Sequence, residues 1–218
     1  VKFIDLSSLD PGLQYPKGSF TDSRRYGFSI HMYKIVRVGL DAFPNASAVR
    51  VMDVVAALGG HGVVGYKELE AGLVHESFAY VARGFQLIRF AVESFGDVEL
   101  YAFSLPEMPK TLFADRMYLY MPPDKSDNVS RIRFDTFGSA APSVEQLPLV
   151  AGVQHLEQWR GFRDGPHAYV VPTASRTNSY TDRFAHVVRF SVAPAPRCTT
   201  ISKEMVEKYN AQRCLADV

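Results

Sequence analysis

Phe85-Gln86-Leu87-Ile88-Arg89-Phe90-Ala91-Val92-Glu93-Ser94-Phe95-Gly96-Asp97-Val98-Glu99-Leu100-Tyr101-Ala102-Phe103-Ser104-Leu105 is the stretch whose pattern decides the fold. In its first half Phe85, Leu87, Phe90 and Val92 stand around Gln86, Arg89 and Glu93. In its second half Val98, Leu100 and Ala102 alternate with Glu99, Tyr101 and Phe103. A period of two sends successive side chains to opposite faces of a pleated strand. Between the halves, Gly96-Asp97 supplies turn residues, glycine because it enters backbone conformations closed to other side chains. The two halves are expected to pair as an antiparallel hairpin.

Working outward, strands are expected at Phe28 to Val38, Arg116 to Met121, Ser130 to Phe137, His167 to Pro172 and Phe184 to Val192. Val49 to Leu58 is apolar without a decisive period, so strand and helix both stay open there. Tyr66 to Leu73 is helix-like in composition. At the C-terminus Ser202 can cap a helix running to about Arg213, with Met205, Val206 and Tyr209 on one face. No internal repeat, heptad or low-complexity tract stands out. Fifteen Phe and eleven Tyr, both strand formers, point the same way as the alternation. The expected class is all-β: an antiparallel jelly-roll-like β-sandwich with few short helices and a C-terminal helix. Residues 1–25 are expected to be an extended arm, 26–200 the sandwich domain and 201–218 a helical tail.

Charge bounds the function. With 24 basic and 23 acidic residues the chain has no field of one sign, which argues against strong sequence-independent binding of nucleic acid. No apolar run reaches the ~20 residues needed to span a bilayer, and Val1-Lys2-Phe3-Ile4-Asp5 has no signal-peptide pattern. Cys198 and Cys214 are read as two thiols in a reducing compartment, although two positions alone do not settle whether they are bonded. The sequons at Asn45 and Asn128 are too short to weigh without a secretory signal.

Gly60-His61-Gly62-Val63-Val64-Gly65 is a literal G-x-G-x-x-G after an apolar run, with Glu68 and Glu76 downstream as ribose acids. In a dinucleotide fold such glycines let a pyrophosphate approach a helix N-terminus. The antiparallel hairpin that follows does not suit a doubly wound sheet, so the segment is expected to be a glycine-rich loop that holds no nucleotide. The six histidines, His31, His61, His75, His155, His167 and His186, show no metal-ligand spacing, and no serine sits in a nucleophile elbow. Glu68, Glu70 and Asp53 are read as solvated charges on helix faces. Catalytic, cofactor and metal residues are therefore expected to be none. Arg outnumbers Lys, and Arg24-Arg25, Arg131 with Arg133, Arg160 with Arg163, and Arg176 with Arg183 are candidates for phosphate, carboxylate or subunit contacts.

Phe78-Ala79-Tyr80-Val81-Ala82-Arg83-Gly84-Phe85-Gln86-Leu87-Ile88-Arg89-Phe90 resembles capsid proteins of picorna-like viruses, where an aromatic segment leads through Arg-Gly into a strand. Gly96 to Leu105 and His167-Ala168-Tyr169-Val170-Val171-Pro172-Thr173 are compatible with later strands of that family. The resemblance implies an eight-stranded jelly roll, release from a precursor, and assembly with sister capsid subunits into an icosahedral shell around a genome. It also implies a place in the virion and in the host cytoplasm during assembly, with weak contact to genomic RNA and no small-molecule substrate. A β-sandwich binding or accessory subunit of a larger cellular complex is the alternative. A nucleotide-dependent enzyme using Gly60–Gly65 is third.

Overall fold

The computed structural model describes residues 4–13, 16–59, 68–102, 108–109, 111–122, 128–138, 142–148, 156–164, 167–175, 186–191 and 198–202. It is mainly β, and among the described residues the one α-helix, α1 (Val54–Ala57), has four residues. The strands form four antiparallel sheets, each of four strands taken in chain order. Sheet 1 holds β1 (Pro16–Thr21), β2 (Tyr26–His31), β3 (Lys34–Gly39) and β4 (Val49–Asp53). Sheet 2 holds β5 (Leu69–His75), β6 (Phe78–Arg83), β7 (Gln86–Ala91) and β8 (Gly96–Ala102). Sheet 3 holds β9 (Phe113–Ala114), β10 (Tyr118–Met121), β11 (Asn128–Arg133) and β12 (Val144–Pro148). Sheet 4 holds β13 (Leu156–Asp164), β14 (His167–Ser175), β15 (His186–Ser191) and β16 (Cys198–Ser202).

The all-β expectation holds, and the jelly-roll order is replaced by these meanders. A jelly roll is built from Greek keys, in which a strand returns by a long connection to lie beside a distant one. Here each strand pairs with its neighbours in sequence. The chain also divides into two compact units, Val1–Phe103 and Ser104–Val218.

The expected hairpin is β7 with β8, in register from Gln86↔Ala102 to Ala91↔Gly96. Its turn falls at residues 92–95 rather than at Gly96-Asp97, and the Phe95 N–H donates to the Ala91 carbonyl at 3.0 Å. The reason is the Phe95 ring, which packs 5.7 Å from Phe90 and 6.3 Å from Phe28 and so draws the turn inward. Phe28 to Val38 is two strands, β2 and β3, folded about Met32-Tyr33 with His31 opposite Lys34. Val49 to Leu58 is strand and then helix: Asp53 ends β4 and its carboxylate accepts the Val55 and Ala56 N–H groups, each at 3.0 Å. Asp53 is thus an N-cap rather than a charge on a helix face.

Two expectations fail for tertiary reasons. Residues 69–73, read as helix, lie in β5, where Leu69 is buried in the core of the first unit. Burial of one strand face overrides helix-like composition. Residues 16–21, read as part of an irregular arm, form β1, whose Phe20 stacks on Phe28 at 4.7 Å with the rings 6° apart. Ser202, expected as a helix cap, closes β16, and the rest of the expected terminal helix lies outside the described residues.

In the first unit one face of sheet 1 packs on one face of sheet 2. Phe28, Ile30, Ile35 and Met52 from sheet 1 meet Leu69, Ala79, Val81, Ile88 and Phe90 from sheet 2. Each fully buried Val, Leu, Ile, Phe or Met side chain among them stabilises the fold by about 1.5–3 kcal/mol. In the second unit Leu119, Tyr120, Met121, Val129 and Ile132 are buried. Asp115 is buried with them and accepts the Met117 and Tyr118 N–H groups at 2.7 Å and the Tyr120 hydroxyl at 3.0 Å.

A repeat emerges across the four sheets. The second strand of every sheet carries an aromatic residue directly opposite an arginine on the third: Phe28↔Arg37, Tyr80↔Arg89, Tyr120↔Arg131 and Tyr169↔Arg189. In the first three sheets the guanidinium stands over the ring two residues earlier, 4.4 Å from Tyr26, 4.6 Å from Phe78 and 4.1 Å from Tyr118. On the fourth strand Glu99 faces Arg89 and Glu145 faces Arg131, both as ion pairs. Aromatic and arginine are nine residues apart in sheets 1 and 2, and longer connections in sheets 3 and 4 break that spacing in the linear chain.

Candidate functional site

A cleft of about 530 Å³ opens in the first unit and is lined by Asp22, Arg24, Arg25, Val74, Glu76, Ser77, Val92 and Glu93. Three connections meet there: the β1–β2 loop, the two-residue β5–β6 turn, and the β7–β8 turn. The first and the last are each held in shape by a specific set of bonds.

Asp22 organises the β1–β2 loop. Its Oδ1 accepts the N–H groups of Arg24 and Arg25 at 2.9 Å and of Tyr26 at 2.8 Å. Burial alone would raise the Asp22 carboxyl, but these three bonds and the nearby Arg24 charge outweigh it and hold the group below its usual range. The loop turns through Ser23 at φ +62°.

Arg37 organises the β7–β8 turn from below. It is 5% exposed, and its Nη1 donates to the carbonyl oxygens of Val92 and of Glu93, the latter at 2.7 Å. Its guanidinium also lies 4.4 Å from the Tyr26 ring and 5.0 Å from that of Phe95. Burial pushes its pKa down from the ordinary arginine value, yet the group stays charged at neutral pH. The carbonyls and the two ring faces supply the polar environment that a buried cation needs.

Glu93 closes the far wall, with Arg25 Nη1 at 2.9 Å from Oε1 and the Tyr26 hydroxyl donating to Oε2 at 2.9 Å. Both partners of the ion pair are well exposed, so the bond orients the rim more than it stabilises the fold. Arg24 makes no ion pair among the described residues, and Glu76 lies 3.9 Å from His75 with its side chain 81% exposed. Val74 and Val92 give the cleft an apolar patch. The arrangement can hold a polar ligand: a guanidinium fork for an anion, a carboxylate for a donor, and an apolar floor.

Of the residues singled out from sequence, Arg24 and Arg25 reach this cleft. Arg131 pairs with Glu145 at 2.6 Å and Arg133 with Asp135 in the second unit. Arg160 and Arg163 stand on β13, while Arg176 and Arg183 lie outside the described residues. Gly60–Gly65 lies outside them too, as do His61, His155 and Cys214. Glu68 pairs with Lys17 at 2.7 Å, and Glu70 is part of β5. His31 is buried in sheet 1 with Ser29 Oγ 3.0 Å from Nε2. His167 opens β14, and His186 opens β15. Asp22, Glu76 and Glu93 were missed as site residues. The Asp22-Ser23-Arg24-Arg25 turn was the available signal, whereas Glu76 and Glu93 join it only when sheet 1 meets sheet 2.

No family model matches the sequence, and no curated protein matches it. Solved structures do. A functionally unknown protein of Desulfotomaculum acetoxidans superposes with a TM-score of 0.58 at 9% identity, over 87% of this chain and 56% of its own. The WD40 domain of Neurospora crassa Pan2 gives 0.54 at 14% identity, over 83% and 51%. The periplasmic gluconolactonase of Pseudomonas aeruginosa gives 0.55 at 16% identity, over 87% and 58%. The chain spans a little over half the length of each. Such identities bear on the fold alone, and it is these neighbours that have a WD40 and lactonase-like propeller-type fold. This overturns the capsid resemblance and, with it, the shell-building function and the virion. The Arg83-Gly84 motif that suggested it is the end of β6 and the start of a two-residue turn, with Gly84 at φ +58°. Aromatic strand, Arg-Gly corner and second strand describe a hairpin in many folds.

Proposed function

We propose that this chain is a binding or accessory component of a larger complex, built from propeller-type blades, and that it holds a partner rather than turning over a substrate. The observation that carries the reading is the fourfold meander with its recurring aromatic–arginine ladder. Four-stranded antiparallel sheets of consecutive strands are the units from which propellers are assembled. In such folds the strands are scaffold and the loops recognise ligands. The cleft fits this division of labour, because Asp22 and Arg37 fix two of its walls before any ligand arrives. A preformed rim spares a partner the ordering cost. Arg24 offers bidentate contact to a carboxylate, and Val74 with Val92 an apolar rest, which suits a peptide segment carrying an acidic side chain.

A panel of peptides differing only in an acidic residue tests this. Acidic members should bind the chain, and Arg24→Glu should weaken them about tenfold with unchanged circular dichroism. Equal binding of neutral peptides, or saturable acceleration of gluconolactone hydrolysis lost on cleft substitution, would overturn the reading.

A further inference from the structure

The charges around the cleft do not balance. Its lining brings three carboxylates, Asp22, Glu76 and Glu93, together with two guanidinium groups, Arg24 and Arg25. Most of these are already answered from within the chain. Asp22 Oδ1 accepts three loop N–H groups, and Glu93 takes Arg25 on one oxygen and the Tyr26 hydroxyl on the other. Arg24 makes no ion pair among the described residues, and Glu76 stands 81% exposed with His75 at 3.9 Å. A purely acidic ligand would gain at Arg24 and be repelled at Glu76, and a purely basic one the reverse.

Glu76 is also held where a glutamate is costly. It lies in the two-residue turn between β5 and β6 at φ +53°, in the left-handed region that glycine enters freely and a Cβ resists. The other two connections of the cleft carry the same feature, Ser23 at φ +62° and Phe95 at φ +50°. The Val92 N–H donates to the Ser77 carbonyl at 2.9 Å and so ties the Glu76 turn to the β7–β8 turn. Backbone outliers of this kind gather at sites whose geometry is set in advance. A charged side chain at a position suited to glycine, on the rim of a cleft, is placed for contact rather than for the turn.

We propose that the cleft takes a peptide segment carrying an acidic and a basic side chain together, the acid on Arg24 and the base on Glu76. The inference rests on the binding reading above and narrows its ligand from a charge to an ordered pair of charges. Arg24 and Glu76 stand on different connections, so the pair also fixes the direction in which the segment lies. Val74 and Val92, lining the same cleft, give the stem of a lysine or arginine an apolar surface.

Fluorescence anisotropy of the purified chain with labelled, end-capped peptides at low salt tests this. The peptides are neutral, acid only, base only, and acid with base in either order at several spacings. One order of acid and base should bind about tenfold or more tighter than the acid alone. Glu76→Gln should remove that gain, and Arg24→Gln should remove the share of the acid. Exchanging the charges, Arg24→Glu with Glu76→Arg, should restore tight binding for the opposite order. Glu76→Gly separates contact from structure: glycine relieves the turn, so the thermal midpoint should hold or rise while the gain from the base is lost. A clearly lower midpoint makes Glu76 a residue of the turn and overturns the inference. So does an acid-only peptide that binds as tightly as the pair, a result that leaves the acidic-ligand reading standing. Base-only peptides binding as tightly as the pair, or no binding by any peptide, would remove both.

Discussion

The ring of Phe20 lies directly on the Cα of Gly72, where a Cβ would come 2.6 Å from Cδ1 and 2.9 Å from Cζ. This contact joins β1 to β5 and explains why glycine occupies the middle of a strand, where it is otherwise unfavourable. The same ring stacks on Phe28 on its own sheet. Gly72→Ala should therefore displace Phe20 and cost about 1–3 kcal/mol. Urea unfolding measures it, and the test is the double mutant: with Phe20→Ala the added cost of Gly72→Ala should largely vanish. Additive effects would show that the contact does not couple the sheets.

Arg37 is expected to be the costliest single polar residue of the first unit to remove. Arg37→Met keeps much of the volume but leaves the Val92 and Glu93 carbonyls without their donor, a loss of about 1–3 kcal/mol. Hydrogen exchange of the Phe95 amide should accelerate in the variant, since the turn loses its anchor. A variant with unchanged exchange would mean that the turn is held by Phe95 packing alone.

Asp22 links stability to acid pH. Its folded pKa lies below the unfolded value of about 3.9, so the folded state favours the ionised form. That contribution is present above about pH 4 and is lost as pH falls through the lower, folded pKa. Asp22→Asn should flatten the stability profile between about pH 4 and pH 2, read by urea midpoints at several pH values. An unchanged slope would place the acid sensitivity elsewhere.

Tyr80 links stability to alkaline pH. Burial pushes its phenol up to about 12, against the opposing pull of Arg89. The unfolded chain ionises this group near pH 10, so above that pH the unfolded state releases the proton first. Stability should fall between about pH 10 and 12, and Tyr80→Phe should lose part of that fall. Ultraviolet titration of the native protein gives the independent check: this phenol should ionise well after the exposed tyrosines.

Much of the local structure was legible in sequence. The alternation in Phe85 to Leu105 foretold two antiparallel strands, and the expected strands at 116–121, 130–137, 167–172 and 184–192 each overlap an observed one. Residues 69–73 were misread because the glutamates and leucines of Tyr66 to Leu73 match helix composition, while the Gly72–Phe20 contact that rewards the strand comes from a residue far away in sequence. The cleft was half legible. Arg24 and Arg25 stand in a turn marked by Asp22 and Ser23, but Glu76, Ser77 and Glu93 arrive from two other turns.

The sequence by itself determined that the chain is β, since a side-chain period of two is a property of each strand alone and demands one buried face. It did not determine which strand lies beside which, because alternating aromatic strands are compatible with a Greek key and with a meander alike. That choice was made by non-local fit. Phe28 against Phe90 and Phe95, and Arg37 against the Val92 and Glu93 carbonyls, require sheet 1 to lie on sheet 2. The fourfold ladder was likewise hidden in the linear chain, because only its first two rungs, Tyr26-x-Phe28 to Arg37 and Phe78-x-Tyr80 to Arg89, share a spacing, and longer loops shift Arg131 and Arg189 out of it. Only hydrogen-bonded register, which disregards loop length, brings each arginine opposite its aromatic partner.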